Sequence, residues 1–481
     1  MTQTAIVWFR QDLRLADQPA LTEACQRAQQ LLPLYIEEDA PDGILGRGSA
    51  SRWWLHHSLA DLKHRLAEVG LPLIIRRGDP LKVLTELAVE LSAGLVVWNR
   101  RYTPGGIARD ADIKAALKQA GVEVRTFNSA LLFEPWEVVR REGEPYRVFT
   151  PFWNAVRARG IPSAPLPVPT CFPSAPPATQ TLALEALELL PKIPWDRGFY
   201  QHWRVGELAA HDQLEGFLAA IASDYDESRN LPYTQGTSRL SPHLHFGEVS
   251  PRQLFHAVHL KTDAFGRGPA CFLKELGWRE FAYHLLYHFP NTSAHPLDGR
   301  FNAFPWVHPD PEVLRRWQRG LTGFPIIDAG MRELWHSGWM HNRVRMITAS
   351  LLTKNLRVDW RTGADWFWDT LVDADLASNT LGWQWTAGCG ADAAPFFRIF
   401  NPVLQGERFD PKGTYVRQWV PEIRGLPDRF IHSPWMASAT DLDAWGVRLG
   451  VDYPLPLVDL KESRSLALAA FAEIKGARPM V

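Results

Sequence analysis

Residues 373 to 385 read DADLASNTLGWQW and combine side-chain types that suit a ligand site better than a packed core. The carboxylates of Asp373 and Asp375 are followed by the amide of Asn379 and by the indoles of Trp383 and Trp385. Carboxylates and amides bind polar ligand atoms, and indoles stack on flat rings. A core helix would instead repeat apolar residues every three or four positions. The alternative is a turn between helices that buries two tryptophans.

A second polar stretch, TSRLS at residues 237 to 241, precedes Pro242 and predicts the start of a helix. The unpaired backbone N–H groups and the dipole at such a start favour an anion. Hydroxyl side chains beside them complete a cradle for a phosphate group. A plain Ser or Thr helix cap is the alternative interpretation.

Two predicted helices each carry a face that is too polar for a core stripe and could line the site of a polar aromatic ligand. On each face the residues are spaced at i, i+3, i+4 and i+7, which places them on one side of a helix. The alternative for the first face is a solvated Glu–Arg pair beside a core tryptophan. The faces consist of Glu275, Trp278, Arg279 and Ala282, and of Asn342, Arg345, Met346 and Ala349.

Cationic and aromatic residues alternate in the C-terminal half. This mixture suits phosphates and unstacked nucleic-acid bases, although solvated surface charges would give the same pattern. The cations are Arg343, Arg398, Arg408, Lys412 and Arg417, and the aromatic residues are Phe396, Phe397, Phe400, Phe409 and Tyr415.

Composition excludes several classes of protein. The net charge of -1 gives no bulk attraction to nucleic acid, so a basic footprint must be local. Four scattered cysteines predict neither a disulfide framework nor a zinc site, and the histidines lack metal-site spacing. The sequence contains no secretory signal pattern and no long apolar run. We therefore expect a cytoplasmic protein, monomeric and without a metal or a membrane anchor.

The elements that must position these residues fall into two kinds. Short apolar runs at residues 5–8, 32–36, 73–75 and 95–98 alternate with helical patterns, such as 52–68 and 107–120. This alternation predicts an α/β domain with a parallel, Rossmann-like sheet over residues 1–128, although no GxGxxG motif follows the first strand. Gly105-Gly106 after Pro104 predicts a turn.

The rest of the chain predicts a connector and an all-α domain. Residues 129–200 form the connector, in which seven prolines between 161 and 180 favour an extended chain. Residues 201–481 carry helical patterns and little strand-like alternation. The helical patterns cover 211–222, 251–261, 271–289, 311–319, 329–336, 341–354 and 364–371.

Seven motifs in this order resemble the DNA photolyases and cryptochromes, along some 400 residues. The resemblance implies an α/β domain that holds an antenna pigment and a helical domain that holds FAD. The motifs are VWFRQDLRLADQPAL at 7–21, TSRLSP at 237–242, ELGWREF at 275–281, GWMHNRVRM at 338–346, DADLASN at 373–379, GWQW at 382–385 and FFRIFNP at 396–402.

The resemblance assigns residues to FAD. Asn379 would face the flavin nitrogen that gains a proton on reduction, and Arg345 would pair with Asp373. Phe272 stands where bacterial relatives often have Trp. The other implied FAD contacts are Tyr225, Arg229, Thr237, Ser238, Leu240, Ser241, Arg279, Asn342 and Asp375.

The resemblance also implies the chemistry, which is light-driven repair of cyclobutane pyrimidine dimers by electron transfer from excited, reduced FAD to a flipped-out dimer. Glu275 would hydrogen-bond the dimer, and histidines of the 6-4 photolyases are replaced here by Asn342 and Met346. Trp306, Trp360 and Trp383 would relay electrons to the flavin. The residues assigned to DNA are Glu275, Trp278, Asn342, Arg343, Met346, Trp385 and Arg398.

Similarity is greatest to the bacterial group allied to plant cryptochromes, whose likeness favours a methenyltetrahydrofolate antenna. Glycines at 105 and 106 replace an Asn-Glu pair of folate-binding relatives, so deazaflavin or no antenna are the alternatives. The rival functions are a blue-light signalling photoreceptor of cryptochrome type and a flavin electron carrier or non-catalytic nucleic-acid binder. Asn379 favours repair, because plant cryptochromes have an acid there.

Overall fold

A computed structural model describes residues 2–38, 46–393, 395–396 and 398–475. Contacts group the chain into two compact units. The first comprises residues 1–194, 203–223 and 238–290, and the second comprises 195–202, 224–237 and 291–481. These units group residues by contact and not by function, so the predicted functional boundaries at residues 128 and 200 stay a prediction.

The first unit contains a five-stranded parallel sheet in the order β3-β2-β1-β4-β5. All four predicted strands are confirmed, and the fifth was not predicted. Residues 5 to 9 of the central strand are fully buried, because helices cover both faces of a parallel sheet. The strands are β1 Thr2–Phe9, β2 Ala28–Glu37, β3 Ile74–Arg77, β4 Leu95–Asn99 and β5 Glu123–Phe127.

Helices make up most of the remaining regular structure, which confirms the predicted α/β and all-α division of fold class. In chain order they are α1 Pro19–Arg27, α2 Ser49–Glu68, α3 Pro80–Glu90, α4 Pro104–Gln119, α5 Phe149–Ala158, α6 Phe199–His202, α7 Glu207–Ala220, α8 Tyr225–Ser228, α9 Ser241–Phe246, α10 Pro251–Lys261, α11 Arg267–His288, α12 Pro311–Gln318, α13 Pro325–Ser337, α14 Asn342–Ser350, α15 Trp360–Thr370, α16 Leu376–Ala387, α17 Pro402–Phe409, α18 Thr414–Trp419, α19 Ala439–Ala444 and α20 Leu460–Ile474.

The predicted turn at Gly105-Gly106 is wrong. Both glycines lie in the first turn of α4, where Pro104 is the first residue. Proline is favoured at that position because its missing N–H would be unpaired there anyway and its φ is already helical. Within the predicted connector, residues 161–180 contain no helix and no named strand, as the seven prolines predict, whereas α5 lies before this stretch.

The second unit is helical and surrounds one large apolar cluster that contains Trp317, Trp360 and Trp383. The helical pattern predicted for residues 341–354 forms as two parts, since the α-helical geometry of α14 ends at Ser350 and the chain continues as a π-helix, Leu351–Asn355. Among the described residues, no helix combines the length and the apolar character needed to cross a bilayer.

Candidate functional site

The stretch from Asp373 to Trp385 is mostly the helix α16 and not a turn. Asp375 precedes the helix and caps it, because its Oδ1 accepts the backbone N–H of Ser378 at 2.8 Å. Such a cap satisfies a donor that the helix itself leaves unpaired. The polar residues that made the stretch unusual therefore sit at the start of a helix, and the tryptophans follow on its body.

Asp373 lies in a buried ion pair with Arg345 of α14. The Nη2 atom of Arg345 donates to both carboxylate oxygens, at 3.1 and 2.9 Å, and its Nε donates to the carbonyl of Met340 at 2.8 Å. The Asp373 side chain is only 4% exposed. The structure thus forms the predicted pair, which fixes the start of α14 against the residues that precede α16.

One face of α16 is open. Ser378 and Gly382 are exposed, Asn379 and Trp385 are half-buried, and Trp383 on the other side is buried. A Cβ atom added at Gly382 would meet no atom within 4 Å. A helix in the middle of a helical unit is expected to be covered, so this face fits the flat ring system that the family resemblance predicts.

The amide of Asn379 has a defined orientation. Its Nδ2 donates to the carbonyl of Ala364 in α15 at 3.0 Å. A carbonyl can only accept, so the NH₂ group must point to α15 and the Oδ1 atom must point away from it. Asn379 is therefore held as a hydrogen-bond acceptor on the open face of α16.

The three tryptophans assigned to electron transfer belong to one apolar cluster. Trp383 and Trp360 are 3% and 2% exposed, and the half-buried Trp306 packs against the same cluster. Gly363 lets α15 approach the Trp383 ring, because a Cβ there would overlap the indole. A further indole, that of Trp317, lies 6.3 Å from Trp383 between ring centroids and was not predicted.

Arg343, also on α14, faces a cavity of about 400 Å³ in the second unit. Its Nη2 donates to Asn230 Oδ1 at 2.5 Å, and its guanidinium lies over the Phe409 ring at 4.4 Å. Burial, and then the neighbouring guanidinium groups of Arg229, Arg408 and Arg398, lower the pKa of Arg343. The cavity is lined by Asn230, Arg343, Arg398, Ile399, Phe400, Asn401, Leu404, Gln405, Arg408 and Phe409.

This cavity assembles part of the predicted set of cations and aromatic residues. No carboxylate lines it, and the ion pairs of the described residues do not involve Arg343, Arg398 or Arg408. Arg417 instead pairs with Asp428 at 2.7 Å, and the buried Tyr415 donates to Glu333. Lys412 is exposed and does not line the cavity, and Phe397 lies outside the described residues.

The remaining assigned residues of the second unit lie before and on α14 and on α8. Asn342 is exposed at the first position of α14, and the sulfur of the half-buried Met346 lies 3.9 Å from Arg343 Nη1. Tyr225 begins α8 and is buried, with the guanidinium of Arg229 at 5.5 Å over its ring. Thr237 is half-buried near the end of this segment of the unit.

In the first unit, the hydroxyl residues before α9 do not cap that helix. The cap position is Leu240, which has no side-chain cap bond, and the half-buried Ser238 accepts the N–H of Leu240 at 3.4 Å. Ser241 is exposed at the first helical position. The plain helix cap that was the alternative interpretation is therefore not formed.

Helix α11 presents the polar face that its sequence predicts. Glu275, Trp278 and Arg279 are half-buried, whereas Ala282 is buried. Phe149 stacks on Trp278 with ring centroids 3.7 Å apart and an angle of 6° between planes. This contact fixes the plane of the indole. It could not be predicted from helical spacing, because the two residues lie on different helices.

Two further residues of α11 have structural partners in the first unit. Arg279 donates to the carbonyl of Ala130 at 2.6 Å and lies 5.0 Å over the Tyr283 ring. Phe272 is buried and packs on Phe217 with centroids 4.6 Å apart. The Phe272 side chain therefore contributes to the core beneath the polar face.

A small cavity lies at the carboxyl ends of β1 and β4, where the strand order of the sheet reverses. Asn99 lines it and donates to Asp12 Oδ2 at 2.6 Å. Open α/β sheets bind ligands at such switch points. The predicted pigment domain thus has a polar concavity at the expected edge.

Comparison with known proteins gives a consistent result. Residues 5–171 match the family model described as DNA photolyase, and residues 272–473 match the FAD binding domain of DNA photolyase. A deoxyribodipyrimidine photo-lyase of Agrobacterium fabrum is 46% identical over 480 residues, 98% of each chain. Cryptochrome-1 of Arabidopsis thaliana is 38% identical over 98% of this chain and 70% of its own length.

Solved structures agree with this relationship. A bacterial class III photolyase from Agrobacterium tumefaciens matches 99% of this chain and 98% of its own, with a TM-score of 0.94 and 46% identity. A Synechocystis cryptochrome matches 97% of this chain with a TM-score of 0.90 and 31% identity. The chain therefore belongs to the DNA photolyase and cryptochrome family, it carries the FAD-binding domain of that family, and it is an enzyme of the photo-lyase type.

Proposed function

We propose that the protein repairs cyclobutane pyrimidine dimers in DNA under light. The observation that carries this proposal is the cavity in the second unit, which is lined by Arg343, Arg398 and Arg408 and by no carboxylate. Cations without acidic partners attract phosphate oxygens, and the net charge of -1 makes this a local footprint. A signalling photoreceptor would not need such a surface for DNA.

When bound, reduced FAD supplies the electron that opens the cyclobutane ring after light absorption. The residues of the second unit fit this group. Arg345 and Asp373 form a preset polar wall, and the open face of α16 leaves room for a flat ring at Gly382. Asp375, which caps the start of α16, would contact the same group.

Asn379 holds a hydrogen-bond acceptor at a fixed place. Its Oδ1 would accept an N–H of the ligand, while its Nδ2 remains bonded to Ala364. An amide oxygen stabilises the protonated ligand nitrogen without adding a charge. This arrangement favours repair over the signalling alternative, because an acid at this position would bring a second titrating group.

Four residues would recognise the flipped dimer. We propose that Trp385 stacks on a base and that Met346 stands in the position of cyclobutane-specific members. We also propose that Glu275 hydrogen-bonds the thymine carbonyls and that Trp278 stacks on a base. Phe149 supports the role of Trp278, since it covers one face of the indole and fixes the plane on which a base would stack. Extrusion of a damaged base costs less than extrusion of a paired one, which adds selectivity.

The first test is a repair assay with the purified, reduced holoenzyme and an oligonucleotide that contains one thymine dimer. We expect near-ultraviolet light to restore the two thymines and darkness to leave the dimer intact. Glu275→Gln should lower the repair yield while FAD is retained. Intact dimers after illumination of the wild type would exclude repair and favour a signalling photoreceptor or an electron carrier.

The second test concerns the proposed electron relay through Trp306, Trp360 and Trp383. Trp383→Phe should slow the light-driven reduction of bound FAD at least tenfold, because phenylalanine is much harder to oxidise than tryptophan. Trp317→Phe is the matched control, since Trp317 is equally buried and touches Trp383 but lies outside the relay. Equal rates for Trp383→Phe and wild type would refute the assignment.

For the antenna we propose methenyltetrahydrofolate. The glycines at 105 and 106 lie in the first turn of α4 and offer no side chain to it, so other residues must provide its contacts. An absorption spectrum of the purified protein tests this proposal. A near-ultraviolet band beyond the flavin would support folate, a violet band would indicate deazaflavin, and a flavin spectrum alone would indicate no antenna.

A further inference from the structure

Lys354 is a lysine in the interior of the second unit. Its side chain is 1% exposed, and it lies in the π-helix Leu351–Asn355 that continues α14. Lysine is almost never fully buried unless it has partners, and π-helical turns occur often at functional sites. The position therefore requires a physical explanation.

The partners of the Lys354 ammonium group all belong to one loop. Its Nζ donates to the carbonyl of Phe396 at 3.1 Å and to the carbonyl of Arg398 at 3.2 Å, and it lies 5.0 Å from the centre of the Phe396 ring. The ion pairs of the described residues do not include Lys354. Its charge therefore stabilises loop backbone and not an acid.

The same helix holds the loop at a second place. The N–H of Phe400 donates to Ser350 Oγ at 3.1 Å, one residue before the π-helix begins. Arg398 and Phe400 line the cavity of the second unit, which is called the arginine cavity below because Arg343, Arg398 and Arg408 line it. Helix α14 thus contributes Arg343 to the cavity near its start, while its continuation fixes the loop that contributes Arg398.

We propose that Lys354 is a positioning residue for DNA phosphate binding, because it fixes the loop backbone from which Arg398 reaches a phosphate. This inference rests on the proposed function. Without the ammonium group, the carbonyls of Phe396 and Arg398 lose a shared donor and the loop gains freedom. DNA binding must then order the loop, and this cost appears as lost affinity.

A purely structural role makes a different prediction. Burial is the main cause that lowers the pKa of Lys354 to about 8, with Cys389 opposing the shift and Arg398 adding to it. A buried charge is costly, so replacement by an apolar side chain of similar length is often tolerated in a core. Lys354→Met would then leave DNA affinity unchanged.

The test measures binding of the FAD-loaded protein to a dimer-containing oligonucleotide as a function of salt. For Lys354→Met we expect the Kd to rise about tenfold, because DNA binding must then order the loop, with an unchanged slope of log K against log salt. Arg398→Ala should reduce that slope by about one phosphate contact. Lys461→Met, which removes an exposed lysine of the same unit, is the control.

Two results would overturn the inference. One is wild-type affinity in Lys354→Met, and the other is a slope that falls as it does for Arg398→Ala, which would make Lys354 a direct phosphate contact. In the Arg398→Ala background, Lys354→Met should have little further effect. If Lys354→Met does not bind FAD, Lys354→Gln is measured instead, with the same expected direction and the same contrary result.

The outcomes also separate this inference from the proposed function. If wild type binds damaged and undamaged DNA equally and repairs neither, the proposed function fails. If wild type prefers and repairs damaged DNA while Lys354→Met binds it equally well, only the inference about Lys354 fails.

Discussion

Two regions of the helical unit use arginine in opposite ways. In the flavin wall, which consists of Arg345, Asp373 and the open face of α16, the cation is paired with a buried carboxylate. In the arginine cavity, the cations rest on aromatic rings instead, with Arg343 over Phe409 and Arg398 over Phe400. The two arginines of α14 are only two positions apart and serve different regions.

The difference indicates what each region is built to bind. An internally paired arginine has a fixed geometry before any ligand arrives, and the pair presents no net charge, which fits the flat ring system that we propose binds there. Aromatic faces attract cations but leave most of their hydrogen-bonding capacity unused. The guanidinium groups of the arginine cavity can therefore donate to an anion, which we propose is the DNA backbone.

The largest effect should come from breaking the pair in the flavin wall. Arg345→Met removes the ion pair of the buried Asp373 carboxylate, which costs about 3 kcal/mol and corresponds to at least a hundredfold loss of FAD affinity if the wall must form for binding. The measurement is FAD retention in equilibrium dialysis, together with the melting temperature.

The matched control for this variant is Arg332→Met. Arg332 pairs with Glu422 at 2.8 Å in the same unit. Its loss should lower the melting temperature without lowering FAD affinity. If both variants lose FAD affinity equally, the loss in Arg345→Met reflects general destabilisation and not a specific role of the flavin wall. The comparison between the regions then fails.

A pH experiment tests the charge beneath the arginine cavity. The pKa of Lys354 is lowered to about 8 from an ordinary 10.5, so below pH 8 the lysine is protonated in both the folded and unfolded states and the full cost of its burial is present. Between these values only the unfolded chain keeps the proton, so stability rises with pH. Relative to Lys354→Met, wild type should gain about 1.5 kcal/mol of unfolding free energy between pH 8 and pH 9.5.

Denaturant titration of both proteins at several pH values measures this difference. Because the variant shares every other titrating group, their contributions cancel. A constant difference between the two proteins would mean that Lys354 titrates normally, and that its ammonium group is less desolvated than its burial indicates.

A smaller effect is expected at Arg343. Arg343→Gln should raise the Kd for DNA about tenfold and lower the salt slope by about one contact, with FAD content unchanged. Arg448→Gln is the control, because Arg448 is exposed and paired with Asp452 at 3.0 Å. An unchanged slope for Arg343→Gln would show that the arginine cavity does not bind phosphate.

Much of the fold follows from sequence pattern, and the exceptions have physical causes. The four predicted strands are apolar runs because both faces of the sheet are covered. Strand β5 was not predicted because it is an edge strand in which exposed and buried residues alternate, with Glu123 and Arg125 exposed. Lys354 was expected only as the last residue of a helical pattern, where a lysine usually reaches solvent or the helix dipole.

The site was predictable where a motif is local and not where it is assembled from distant segments. The pair of Arg345 and Asp373 was implied by family motifs. Asn230 and Gln405 line the arginine cavity beside Arg343, although more than 50 positions separate each of them from it in the chain. No spacing rule within one helix could associate these residues, because tertiary packing alone brings them together.

The smallest effect should distinguish Asn379 from Asn401, because their side chains use different atoms in their hydrogen bonds. Asn379→Asp replaces the Nδ2 donor by an oxygen, so the carbonyl of Ala364 loses this donor and faces a carboxylate, at a cost of about 1 kcal/mol. Asn401 uses only its Oδ1, which accepts the N–H groups of Val403 and Leu404 as a helix cap. Asn401→Asp should therefore keep its unfolding free energy, since aspartate caps helices equally well. Because the Arg345 pair is untouched, Asn379→Asp should retain FAD while its repair yield falls, and equal unfolding free energies for the two variants would contradict the assigned orientation of the Asn379 amide.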